Sequence, residues 1–152
     1  MFRGVNNLNL DVKGRLAIPA RYRELLAASG EQELMVTLAH RGNCLLLYPM
    51  PEWQLIEQRL VELSDLNDDA YRLKQILLGH ANQCDLDSSG RIRIPAELRE
   101  HLSIGKRAAL VGMGNKLELW QEGSWLEQRG LNLSQIGKTD LEASKELSGL
   151  TL

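Results

Sequence analysis

Apolar and polar residues alternate in two short stretches that match each other. Leu8, Leu10, Leu16 and Ile18 flank one polar break, and Cys84, Leu86, Ile92 and Ile94 flank another. Alternation of this kind predicts short strands that bury one face. The breaks, Asp11-Val12-Lys13-Gly14 and Asp87-Ser88-Ser89-Gly90, predict tight turns. Glycine supplies the positive φ that such turns usually need, and an aspartate three residues earlier can hydrogen-bond the turn backbone. Pro19 and Pro95 end the second strands and suit the first position of a helix, which predicts helices over 20–28 and 96–102.

The pattern continues in duplicate. Glu33 to Leu38 and Cys44 to Tyr48 predict a second strand pair around His40-Arg41-Gly42-Asn43. Asn43 to Tyr48 with Trp53 is matched by Asn115 to Trp120 with Trp125, at an offset of 72 where the turns repeat at 76. A shorter surface connection in the second copy accounts for the difference. Pro51 to Leu63 is amphipathic through Trp53, Ile56, Leu60 and Leu63, and Asp68 to Leu78 through Tyr71, Ile76 and Leu77, so two helices are predicted between the copies. Leu131 to Leu152 reads as a frayed helix or a partly disordered tail.

The expected fold class is α+β, mostly β. Its expected organisation is a first hairpin-bearing domain at 5–52, a helical linker at 53–80, a second such domain at 81–124, and a C-terminal helix or tail at 125–152. Units this small bury a modest fraction of their surface, so the halves are expected to complete each other. The helix face of Trp53 and Ile56 is expected to be available for packing against another surface.

Composition narrows the class. With 152 residues, 43% of them hydrophobic, the chain can build a globular core. No apolar run approaches the roughly 20 residues of a membrane span, and Met1 to Asn7 has no signal-like apolar stretch; a cytoplasmic location is expected. Two cysteines, Cys44 and Cys84, both in apolar strand context, predict buried thiols. The net charge of −2 hides an uneven distribution. Residues 1–26 carry a balance of +3 and residues 86–107 one of +2, whereas 52–69 holds six acids against Arg59 alone. Positive charge therefore concentrates around the turns and suits a polyanion.

Within the repeat, the arginines have no apolar reason to be there. Arg15 and Arg91 follow the turns on the polar side of the strand, accompanied by Lys13 and Arg93. Each can pair with the aspartate four residues back, but exposed pairs contribute only about 0–1 kcal/mol. Stability alone is a weak reason for the same arginine beside both turns.

The motif Asp-x-x-Gly-Arg-apolar-x-Ile-Pro resembles the AbrB-like (SpoVT-AbrB) swapped-hairpin DNA-binding module. Two copies, the start Met1-Phe2-Arg3-Gly4, the run Cys44 to Trp53 and Leu77-Leu78-Gly79-His80-Ala81 are together similar to the MraZ family of bacterial transcriptional regulators. The resemblance covers nearly the whole chain. It implies that the two halves interlock as an intrachain pseudo-dimeric, double-ψ-like barrel and that chains assemble into ring-shaped homo-oligomers. It also implies binding of double-stranded DNA at repeated promoter boxes of a division and cell-wall gene cluster, with repression there and association with the nucleoid.

Arginine can pair bidentately with guanine in the major groove. Arg15 and Arg91 are the candidate base readers, with Lys13, Arg93 and Arg3 as candidate phosphate contacts. Asp11, Gly14, Asp87 and Gly90 are expected to organise the turns. The second turn, with Ser88 and Ser89 where the first has Val12 and Lys13, is expected to grip more weakly or to rely on Arg93.

The rival classes have thinner support. His40, His80 and His101 with the cysteines are the best enzymatic candidates, and His80 with Cys84 the best metal pair, but no second ligand pair accompanies them. Gly112-Met113-Gly114 is a lone G-x-G, better explained as a turn, and no G-x-S-x-G elbow occurs. No catalytic residue, metal, cofactor, small-molecule substrate or membrane is expected. An oligomeric scaffold with an acidic protein partner and an AbrB-like antitoxin remain alternatives.

Overall fold

The alternating stretches are strands, but most of their partners lie in the other repeat. The computed structural model describes all 152 residues, Met1–Leu152. In chain order the elements are β1 (Phe2–Asn9), β2 (Arg15–Ala17), α1 (Ala20–Ala28), β3 (Glu33–Leu38), β4 (Leu45–Pro49), α2 (Met50–Glu62), α3 (Asp68–Leu77), β5 (Asn82–Asp85), β6 (Arg91–Arg93), α4 (Ala96–His101), β7 (Arg107–Gly114), β8 (Leu117–Gln121) and α5 (Glu122–Ile136). Each repeat is thus strand, strand, helix, strand, strand, in a mostly-sheet α+β fold.

Six strands form one antiparallel sheet in the order β1-β7-β8-β4-β3-β5, and β2 pairs with β6 in a separate ribbon. The six-strand order is a palindrome in repeat terms. The first strand of each repeat pairs with the third strand of the other: β1 with β7, Phe2 opposite Gly114, and β5 with β3, Glu33 opposite Asp85. At the centre Leu45 faces Leu119 and Leu47 faces Leu117, so the pseudo-two-fold passes between Leu46 and Glu118. The halves complete each other by exchanging strands.

A closed barrel, expected from the resemblance, does not form: β1 and β5 are the edges of an open sheet. The backbone N–H of Asp11 donates to the Arg15 carbonyl at 3.0 Å, which closes the turn, and Arg15, Leu16 and Ala17 pair with β6. Pro19 and Pro95 also stand one position earlier than expected. They are N-caps with extended ψ, and the Pro19 carbonyl accepts from Tyr22 and Arg23 as the first helical acceptor.

One sheet face carries the main core. Leu34, Val36, Leu45, Leu47, Leu110, Leu117 and Leu119 pack with Leu16 and Ile92 of the ribbon and with Tyr22, Leu26 and Leu98 of α1 and α4. The opposite face holds Tyr48 against Trp53 of α2, ring centroids 5.9 Å apart, and Thr37, whose hydroxyl donates to the Leu77 carbonyl at 2.6 Å. Trp53 is 0% exposed, so this apolar face packs within the chain. Ile56 beside it is half-buried, and the exposed apolar residues of α2 are Leu55 and Val61.

The chain divides into two compact units, Met1–Glu122 and Gly123–Leu152. In the second, regular helix persists to Ile136, further than a frayed tail, with Gln128 donating to Asn132 across one turn. A 3-10 turn, Leu141–Ala143, follows and is capped by the Asp140 side chain. No helix of the chain is long and apolar enough to cross a membrane.

Candidate nucleic-acid interface

The two turns are built identically. Asp11 Oδ1 accepts the backbone N–H groups of Lys13 and Arg15, each at 2.9 Å, while Oδ2 accepts Arg15 Nε at 2.6 Å. Asp87 does the same with Ser89 and Arg91 at 2.9 Å and with Arg91 Nε at 3.0 Å. These bonds hold both carboxyls below the usual range, in each case chiefly through the backbone N–H of the arginine that follows. Each aspartate thus spans its own turn with two backbone hydrogen bonds. Each also fixes its arginine by the Nε edge, which leaves the terminal nitrogens of Arg15 as an open fork.

Gly14 and Gly90 adopt φ of +77° and +73°. Each is also covered by an arginine of the other repeat. Arg99 donates Nε to the Ile94 carbonyl at 3.1 Å and lies over Gly14, where a Cβ would fall 2.4 Å from its guanidinium; Arg23 donates to Ile18 at 3.0 Å and covers Gly90 in the same way. Arg23 and Arg99 were not expected at the site. Their signal was present all the same: both stand four residues after the repeated proline, at the offset of 76.

Gly14→Ala is accordingly expected to lower stability by about 1–3 kcal/mol, from the left-handed backbone and the displaced Arg99. Gly105→Ala, where nothing lies within 4 Å and φ is not positive, should change little. Denaturant midpoints compare the two, and equal midpoints would remove the account of the glycine.

The ribbon gathers four of the expected basic residues. Its register places Arg15 opposite Arg93, Leu16 opposite Ile92 and Ala17 opposite Arg91. Leu16 and Ile92 face the core at 0% exposure, so Arg15, Arg91 and Arg93 share the outer face, with Lys13 on the adjoining turn. Like charges directly opposite each other destabilise a strand pair. Here the carboxylates relieve the repulsion only in part. Arg91 Nε bonds Asp87, and its Nη1 lies 4.0 Å from Asp11.

Arg3 lies elsewhere. It sits opposite Met113 near the start of β1, roughly 20 Å along the strand from its Asn9 end, and its carbonyl accepts the Tyr22 hydroxyl at 2.7 Å. The cysteines are buried: desolvation pushes Cys84 up to about 11, and Cys44 rises further beside Glu118. His80 Nδ1 lies 2.8 Å from the Ile76 carbonyl. No three His, Cys, Asp or Glu side chains gather where they could hold a metal ion.

A family model described as "MraZ protein, putative antitoxin-like" matches residues 1–76 and 77–142, and the second match starts 76 residues after the first. The chain belongs to the MraZ family. Relatives of this chain include the "Transcriptional regulator MraZ" of Halorhodospira halophila, 46% identical, that of Serratia proteamaculans, 45%, and that of Thioalkalivibrio sulfidiphilus, 46%. In each case the alignment spans 152 residues and 100% of both chains. The two family matches coincide with the two turn-bearing repeats, so the ribbon joins one strand from each.

Proposed function

We propose that this protein is a non-enzymatic transcriptional regulator that binds duplex DNA sequence-specifically through the outer face of the β2–β6 ribbon. The observation that carries this reading is the register that sets Arg15 against Arg93 on an exposed face, with arginine forks left over after the aspartates are satisfied. A fork with two free N–H donors suits guanine O6 and N7. Arg15 and Arg91 act as base readers, and Lys13 and Arg93 as phosphate contacts that set register. Arg3, at a distance along β1, serves as a further phosphate contact on longer DNA. We take 5–52 and 81–124 as the DNA-binding domains, 53–80 as their linker and 125–152 as a C-terminal extension, the exchanged strands making an intrachain pseudo-dimer of swapped hairpins.

The protein acts in the cytoplasm, on the nucleoid, as a repressor at repeated boxes in the promoter of its own division and cell-wall gene cluster. Self-association into rings brings many ribbons to successive boxes and raises affinity through effective concentration. Exposed Leu126, Leu131, Leu133 and Ile136 on α5 supply apolar area for it. The names of the relatives favour regulation over the scaffold alternative; the antitoxin-like wording of the family description keeps a toxin-type protein partner as the second reading.

Fluorescence anisotropy across a salt series tests the proposal, with DNA from upstream of the protein's own gene and a shuffled duplex of equal length. Preference for the upstream DNA, with affinity falling as salt rises, is expected. Equal binding to both duplexes, or none to either, would overturn it.

A further inference from the structure

Of the four positions that differ between Asp11–Pro19 and Asp87–Pro95, two change the charge, and the exchanged strands put both of these at the same end of the ribbon. Lys13 corresponds to Ser89, and Ala17 to Arg93. Were each repeat to keep its own second strand, Arg93 would strengthen the second turn. Instead β2 and β6 run antiparallel about the pair Leu16 and Ile92, so Arg93 lands opposite Arg15, where the Ile94 N–H donates to the Gly14 carbonyl at 2.9 Å. One end of the ribbon thus carries Lys13, Arg15 and Arg93 against Asp11. The other carries Arg91 against Asp87, with Ala17 opposite. Arg91 Nη1 lies 4.0 Å from Asp11.

Resting on the DNA-binding reading above, we propose that the Lys13–Arg15–Arg93 end is the primary base-reading end, assembled from both repeats, and that Arg93 is a specificity-determining residue there and not a phosphate contact alone. The second end, with Arg91 on Asp87 and Ala17 opposite, is the weaker reading end and chiefly holds the duplex. A near-symmetric fold thereby reads a directional sequence. The fold keeps its two-fold because these substitutions are confined to the outer face: Ala17 and Arg93 are exposed, whereas Leu16 and Ile92 beneath them are 0% exposed. The repeat whose turn looks poorer supplies the decisive second arginine to its partner's turn.

Selection from a randomised duplex library by the full chain tests this. Wild type, Arg93→Ala and the double variant Ser89→Lys/Ala17→Arg are compared, each shown to be folded by circular dichroism. Wild type is expected to enrich a motif without two-fold symmetry. Arg93→Ala should lose roughly ten-fold of the preference at the base next to the one read by Arg15, with the rest of the motif kept. The double variant, which equips the second end like the first, should enrich a two-fold-symmetric motif. A symmetric wild-type motif, or uniform weakening by Arg93→Ala across all sequences, would overturn the inference while leaving DNA reading intact. No enrichment by folded wild type would instead remove the DNA-reading function on which it rests.

Discussion

Leu16→Ala is expected to cost about 2–5 kcal/mol of folding stability, a large share of the roughly 5–15 kcal/mol a domain of this kind possesses. Leu16 is 0% exposed, pairs with Ile92 on the pseudo-two-fold, and belongs to the cluster that joins the ribbon to the sheet and to Tyr22, Leu26 and Leu98. Truncation there removes buried methyl groups at a point where both repeats converge, and the ribbon cannot collapse onto the gap without losing its register. Val12→Ala, four residues away, is the control: Val12 is 99% exposed on the turn and should change stability by less than about 0.5 kcal/mol. Urea midpoints measure both. A loss below about 1 kcal/mol for Leu16→Ala would mean that the ribbon is not part of the cooperative core.

Arg15→Ala should give the opposite combination, an intact fold and failed recognition. Its ion pair with Asp11 joins two side chains each about one-third exposed, 33% and 32%. Such a pair contributes about 0–1 kcal/mol at most, so the melting transition should barely move. Preference for upstream over shuffled DNA should fall roughly 5- to 150-fold, the range that corresponds to loss of one bidentate guanine contact. Arg15→Lys sharpens the test. Lysine keeps the charge without the planar fork, so it should retain salt-dependent binding to both duplexes and lose the discrimination between them. Full discrimination by Arg15→Lys would reduce Arg15 to a phosphate contact.

Much of this architecture was legible in the residues, and what was not shares one cause. Local signals placed α1 at Ala20–Ala28 and β3 at Glu33–Leu38 to the residue, and the Asp-x-x-Gly turns have the hydrogen bonds their residue types require. Period-two alternation says which face of a strand is buried but not which strand lies beside it. The sequence neighbours Arg91 and Arg93 therefore looked like one basic tip, when the register sends Arg93 to Arg15. Arg23 and Arg99 were overlooked for a related reason: nothing local tells that the other repeat's glycine lies under each. The apolar face of Trp53 was legible from its spacing, but not its partner, since Tyr48 is on the strand before it and points away from the main core.

The exchange of first strands also sets the order in which the chain can become a protein. β1 has no ladder partner until β7 exists, roughly a hundred residues later, so the earliest segment made is among the last to be secured. During synthesis the first repeat must wait with the ladder edge of β1 unpaired. A chain stopped after that repeat would satisfy the same edges only by borrowing them from another unfinished copy. What lets two unequal halves share one DNA-facing surface thus makes the newborn chain vulnerable to its neighbours on the same message.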